Sequence, residues 1–222
     1  MKNLILLLFM IIMLLSLNSE AKEVRTPVVI IDSGVSYAQS KKPYMCKNGV
    51  LSTTADSGID EHGHGTNITS IISSKINKKY CIVSIKVYKN NVAGISSYIA
   101  GLRLAVDFRP AFINISMDGE VGDFFETLYI QRALMYGAKV VVAAGNNSVN
   151  LDLNCRAFPT CVKKEISSLY SKNMFIVGAT DTKSSNYGMI VTHRLSGKDL
   201  GFPKMSGTSQ AAASLTSRLV QK

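Results

Sequence analysis

The chain has 222 residues, 46% of them hydrophobic, and 25 Lys and Arg against 15 Asp and Glu, a formal net charge of +10. That length supports one well-buried domain and is too short for two comfortable ones. The charge favours contact with anionic surfaces such as cell-wall polymers, lipid headgroups or acidic proteins. No basic run interleaved with aromatics occurs, which argues against nucleic-acid binding, and Lys75-Ile-Asn-Lys-Lys79 reads as a solvated loop end.

Residues 1–21 read as a targeting segment. Lys2 supplies a minimal positive start, Leu4 to Leu15 is an unbroken apolar run, and Ser19-Glu20-Ala21 carries small residues where a signal peptidase reads. This is the pattern of a secretory signal peptide, and it predicts a secreted or periplasmic protein. An uncleaved membrane anchor is the alternative. Loss of Lys2 and Glu20 leaves the charge at +10, and residues 22–222 are expected to form one monomeric domain.

Residues 27–31, Pro-Val-Val-Ile-Ile, form a short β-branched run that predicts a buried parallel strand. Residues 36–62 are polar and turn-rich, without a clear period. Ile68, Ile71 and Ile72 mark a short helix over 66–76, and 81–87 reads as a strand. Ile99, Leu102 and Val106 fall at helical spacing over 96–106. A strand follows at 111–116. Residues 123–136 predict a helix with an acidic start at Asp123 and a stop at Gly137. Residues 139–144 form a strand, 146–170 a long connection, 174–178 a strand and 208–220 a final helix. No repeat, low-complexity tract or linker interrupts this order. Strands alternating with helices predict a three-layer α/β fold, a mostly parallel sheet with helices on both faces.

Four cysteines remain beyond residue 21, and an even count in an exported chain fits two disulfides. Three connectivities exist. Cys155–Cys161, closing a short loop around Pro159, is favoured, with Cys46–Cys81 by elimination; free thiols are the alternative. No Cys-x2-Cys or Cys-x2-4-His spacing occurs, and His62-x-His64 lacks a third ligand, so neither a metal nor a cofactor is expected.

Four segments carry chemistry. They are Ile31-Asp-Ser-Gly34, Gly63-His-Gly-Thr66, Ala143-Ala-Gly-Asn146 and Ser206-Gly-Thr-Ser-Gln-Ala211. Each alone reads as a turn or a cap. Together they put Asp32, Asn146 and Ser116 at or just beyond strand ends, and His64 and Ser209 at helix starts. In a parallel sheet these positions converge on the edge where ligands bind. A serine nucleophile needs a base, and that base needs an orienting carboxylate. The Asp, His, Ser order and these motifs resemble the subtilisin-like serine peptidases, or subtilases, over roughly residues 27–222.

The resemblance implies that Ser209 is the nucleophile, His64 the general base and acid, and Asp32 the residue holding the imidazole tautomer. Asn146 and the Ser209 N–H would hold the oxyanion. Ser116, Met117, Asp118 and Gly119 would pair with an extended protein or peptide substrate as an added strand, with Asp118 where the family usually has Gly. Ala144 and Gly145 would line the pocket for the side chain at the scissile bond. Their small size, with Ala143 and Ala157, suggests a large side chain there. The implied activity is exported serine endopeptidase. A weak peptide-binding relative and a small-substrate esterase or amidase are the alternatives. Sequons at Asn67, Asn114 and Asn146 are present, and the fold is expected to bury Asn114 and Asn146.

Several family features are expected to be missing. No pro-domain fits between Ala21 and the first strand. The link from the His64 helix to the 81–87 strand is too short for the calcium-holding loop of relatives. Residues 180–206 lack Ala-Pro-Gly, Ala213 stands where proline is usual, and the domain is shortened after Ser209.

Overall fold

The computed structural model describes residues 24–222; the targeting segment expected at 1–21 lies outside the described residues. The chain begins with β1 (Thr26–Asp32), a single-turn helix α1 (Tyr37–Ser40), β2 (Met45–Ser52), α2 (His64–Ser73) and β3 (Tyr80–Lys86). A small hairpin, β4 (Tyr88–Lys89) and β5 (Val92–Ala93), leads into α3 (Ile95–Asp107) and β6 (Phe112–Ile115). Then come α4 (Phe124–Met135), β7 (Lys139–Ala143), a 3₁₀ turn at Thr160–Lys164 and α5 (Ser168–Ser171). The described chain closes with β8 (Met174–Ala179), β9 (His193–Leu195) and α6 (Thr208–Leu219).

Seven strands form one sheet in the order β2-β3-β1-β6-β7-β8-β9, and every pairing in it is parallel. Successive side chains of a strand point to opposite faces, and β1 shows the consequence. Val29 and Ile31 pack with Leu102 and Val106 of α3 and Ile130 and Leu134 of α4. Val28 and Ile30 pack with Ile68 and Ile72 of α2 and Ala213 of α6. All four β1 residues are fully buried, and burying each is worth about 1.5–3 kcal/mol. Small residues of α6, Ala211 and Ala212, let that helix lie close over Val141, Ala143 and Val177.

The structure pairs Cys46 with Cys81, tying β2 to β3, and Cys155 with Cys161 across a short loop. Two strands of the sheet were not predicted. β2 lies in the polar stretch because its pattern is broken: Asn48 has φ +57°, and the register shifts between Met45 and Val50. β9 has three residues, too few to show a period. Asn67 and Asn114 are fully buried. Asn146, expected to be buried, is exposed, because it stands in the turn beyond β7.

Candidate active site

Asp32 is the last residue of β1, and His64 is the first of α2. The His64 Nδ1 lies 2.8 Å from Asp32 Oδ1. The close approach of these elements depends on Gly65: a Cβ there would stand 2.2 Å from the Gly34 carbonyl oxygen. Asp32 is fully buried. Its Oδ1 also accepts the Ser33 N–H at 2.7 Å, and its Oδ2 has no hydrogen-bond partner among the described residues. Burial pulls the His64 pKa down, but the charge and hydrogen bond of Asp32, with the charge of Asp60, outweigh it. The net result lies above the ordinary 6.5.

The turn before His64 is organised by Asp60. Its Oδ1 accepts the N–H groups of His62 at 3.0 Å and Gly63 at 2.8 Å and the Ser33 hydroxyl at 2.9 Å. Its Oδ2 accepts the Thr66 N–H at 2.8 Å and the Thr66 hydroxyl at 2.5 Å. Ser33 Oγ accepts the Gly65 N–H at 2.9 Å, which closes the network back to the Asp32 strand end. Burial raises the Asp60 carboxyl, but the donors on Thr66, Gly63 and Ser33 hold it below its ordinary range.

Ser209 is the second residue of α6 and is 8% exposed. Its hydroxyl donates to the Ser116 carbonyl at 3.1 Å, and the Ser116 hydroxyl donates to the Ser209 carbonyl at 3.3 Å. Beneath this pair, Asn114 Nδ2 donates to Ser116 Oγ at 2.9 Å and Asn114 Oδ1 accepts the Thr216 hydroxyl at 2.9 Å. Strand β6 and helix α6 are thereby fixed to each other at Ser209. On the other side, Gln210 Nε2 donates to Asn67 Oδ1 at 2.9 Å. Asn67 Nδ2 donates in turn to the Leu200 and Pro203 carbonyls, so the start of α6 is locked to the helix that begins with His64. A side chain so engaged does not serve as a sugar acceptor.

Asn146 Oδ1 accepts both the N–H of Thr208 at 3.0 Å and its hydroxyl at 3.2 Å. These two donors fix the amide and leave Nδ2 as the free donor beside the first turn of α6, where helix N–H groups lack intrahelical partners. The turn carrying Asn146 is held by buried Asn186, a residue the sequence did not single out. Its Nδ2 donates to the Ala144 carbonyl at 2.9 Å, and its Oδ1 accepts the N–H groups of Asn147 and Val149.

The residues expected to hold substrate divide into two groups. Ser116 touches Ser209, and Met117 and Asp118 follow it along the cleft wall. Gly119 is already engaged: its N–H and C=O pair with Phe158 at 2.9 and 2.8 Å, so its backbone is not open to a substrate strand. Ala144 and Gly145 lie opposite. A Cβ on Gly145 would meet Asn186 Nδ2 at 2.4 Å and Asp118 Oδ2 at 2.9 Å, so the close approach of these side chains to the turn requires glycine there. Among the described residues no cluster of three metal-binding side chains occurs.

Comparison with known proteins agrees with this geometry. Residues 26–220 match the model of the subtilase family, peptidase family S8. A putative subtilase-type proteinase of sexual differentiation, isp6 of Schizosaccharomyces pombe, is 26% identical over 214 residues, covering 81% of this chain and 43% of that protein. Subtilase-type proteinase psp3 of the same organism is 25% identical over 130 residues, covering 54% of this chain and 29% of that protein. Subtilisin-like protease 5 of Arthroderma gypseum is 26% identical over 206 residues, covering 74% and 50%. The chain thus spans half or less of the length of these curated relatives. The solved structure of a cold-adapted subtilisin-like serine proteinase superimposes with a TM-score of 0.68 at 21% identity, over 91% of this chain and 77% of that one. The fold is therefore subtilisin-like, and by the family match over nearly its whole described length the chain belongs to the subtilase family.

Proposed function

We propose that this protein is an exported serine endopeptidase that cleaves peptide bonds through an acyl-enzyme. The observation that carries the reading is the 2.8 Å contact of His64 with buried Asp32, at the same sheet edge as Ser209 and a clamped Asn146. Asp32 accepts a hydrogen bond from the His64 Nδ1–H, which stays on the ring, and leaves Nε2 as the base. Ser209 Oγ rests on the Ser116 carbonyl. It turns toward Nε2 as substrate enters, a tightening common in unliganded sites. Oγ then attacks the carbonyl carbon while its proton passes to Nε2. The oxyanion is received by Asn146 Nδ2 and the Ser209 N–H. Collapse breaks the C–N bond, and the His64 proton leaves with the amine. Water, deprotonated by His64, then attacks the acyl carbonyl and frees Ser209.

The substrate is a protein or peptide laid as an extended strand along 116–118, and the chain acts as a monomer. Its net charge of +10 favours contact with anionic cell-surface polymers. Two disulfides support an oxidising, extracellular or periplasmic setting. Fluorophosphonate labelling of the folded protein, compared with Ser209→Ala, tests the reading. Labelling lost in the variant supports it, and an unlabelled wild type would make the chain a peptide-binding relative. Faster turnover of casein than of a small acyl ester distinguishes the peptidase from an esterase.

A further inference from the structure

Every pairing in the main sheet is parallel, so the strand starts share one edge, and Ser209 with its partners lies at the other. The starts are tied side by side. The Lys79 carbonyl accepts the Thr26 N–H at 2.8 Å, Pro27 that of Ala111, Ala111 that of Lys139 and Asn173 that of Val140, each at 2.9 Å. Segments 24–25, 41–44, 74–79, 108–111 and 172–173, which lead into β1, β2, β3, β6 and β8, each carry Lys or Arg and no Asp or Glu. Strand β7 itself opens with Lys139. In sheet order the result is a row of Lys78 and Lys79, Arg25, Arg109, Lys139 and Lys172, about 20 Å long at about 4.8 Å per strand. Asp56, Asp60, Glu61, Asp118, Glu120 and Asp123 stand instead in the segments leaving β2 and β6, at the edge of Ser209.

The fold leaves this row without side-chain anions. Among the described residues, Lys86 is the only Lys or Arg paired with a carboxylate, and it ends β3 at the far edge. Arg25 donates to the Pro43 and Met45 carbonyls, and Lys79 Nζ to the Lys222 carbonyl. Asp107, the last residue of α3, is offset by Arg132. Aromatic rings stand among the cations: Arg109 lies 3.6 Å from the centre of the Tyr136 ring, Lys79 5.2 Å from that of Tyr80 and Lys139 5.8 Å from that of Phe112. Beside them, at the end of α4, Met135 and Tyr136 are 54% and 39% exposed. Cations interleaved with exposed Tyr and Met suit a lipid boundary, where phosphates take the charges and the apolar side chains enter between headgroups. A polyanion in water has no use for Met135. The course of the chain agrees. Val24, 94% exposed, leaves from this edge. The apolar run Leu4–Leu15 ends nine residues before it, at most about 30 Å of extended chain, so a chain still held in a membrane by that run presents this edge to the bilayer.

We propose that the strand-start edge is a docking surface for an anionic phospholipid bilayer, with the basic row on the headgroups and Met135 and Tyr136 inserted at the boundary. The row narrows the general attraction of a +10 chain to one face and one partner. Docked this way, the protein turns the Asp32 end of β1 outward, about 20 Å from the start of that strand, where soluble proteins reach it. The assignment goes beyond the peptidase reading and stands without it.

The test is co-sedimentation of the exported protein with vesicles of phosphatidylcholine alone or mixed with phosphatidylglycerol, at low and at physiological ionic strength. Binding to the mixed vesicles is expected to be about 100-fold tighter and to weaken with salt. Equal binding to both vesicles, or none to either, would overturn the proposal without any variant. Each cation at a charged surface strengthens binding about fivefold, so Lys78→Gln, Lys139→Gln and Lys172→Gln together should cost about 100-fold. The matched set Lys183→Gln, Lys198→Gln and Lys204→Gln, in segments leaving β8 and β9, removes the same charge from the other edge and should cost less than about fivefold, since it lies beyond a Debye length. Equal losses from the two sets would mean that net charge alone acts and would overturn the face. Met135→Ser should weaken vesicle binding about 10-fold and leave binding of dextran sulfate unchanged. Dextran sulfate bound as tightly as the mixed vesicles, with Met135→Ser harmless to both, would make the partner a polymer and overturn the lipid assignment.

Discussion

Asp60→Asn isolates the residue that sets His64 in place. The carboxylate accepts five donors, three on Oδ1 and two on Oδ2. An amide keeps one oxygen and turns the other into a donor. Placed at Oδ2, its NH₂ faces the Thr66 N–H, which cannot reverse, and the Thr66 hydroxyl, which can rotate to accept. The oxygen left on the other side loses its charge. With charge-assisted bonds worth about 1.5–3 kcal/mol each and one contact recovered, the variant should lose about 2–4 kcal/mol of stability. Urea unfolding monitored by circular dichroism measures that loss. Turnover carries a second signature. The Asp60 charge helps hold the His64 pKa up, so removing it lowers that pKa. The acid limb of the kcat/KM–pH profile should move to lower pH while the plateau falls, because the imidazole is less well placed. A merely loosened turn gives the fall without that shift. A stability change under about 0.5 kcal/mol, or a limb that stays or moves to higher pH, would refute the reasoning.

In the wild type, kcat/KM should rise with pH through one ionisation whose midpoint lies above 6.5, because Asp32 and Asp60 favour the imidazolium, which is the inactive form; a midpoint below 6.5 in a pH–rate series on a neutral substrate would contradict this. Asn146→Ala removes the side chain proposed to hold the oxyanion and should lower kcat by about 10²–10³-fold with KM nearly unchanged, and steady-state kinetics in which KM alone rises would assign Asn146 to ground-state binding instead. The Cys46–Cys81 bridge spans a sequence separation of 35, so the double variant Cys46→Ser with Cys81→Ser should lose about 4 kcal/mol by the loop-entropy estimate; an unchanged denaturant midpoint would show that β2 and β3 hold without it.

Much of this fold is local in origin. The runs at 27–31, 139–144 and 174–178 are apolar on both faces, so their burial between two helix layers could be read directly. The broken pattern of β2 and the brevity of β9 hid the two outer strands of the sheet. At the site, Asp32, His64, Asn146 and Ser209 stand in short motifs whose glycines and helix starts are visible in sequence. Their supports are not. Asn186 reaches Ala144, and Asn67 reaches Gln210 and Leu200, across 42, 143 and 133 residues. Asp60 stands only three residues before Gly63, but its five donors come from the folded turn.

Reaction of Ser209 with a fluorophosphonate, read by mass spectrometry of intact protein and of its peptides, tests the central claim most directly. A single adduct on Ser209 at neutral to mildly alkaline pH, absent in Ser209→Ala and strongly slowed in His64→Ala, is the predicted result. A folded wild type that stays unmodified, or is modified equally fast without His64, would contradict a triad in which His64 activates Ser209.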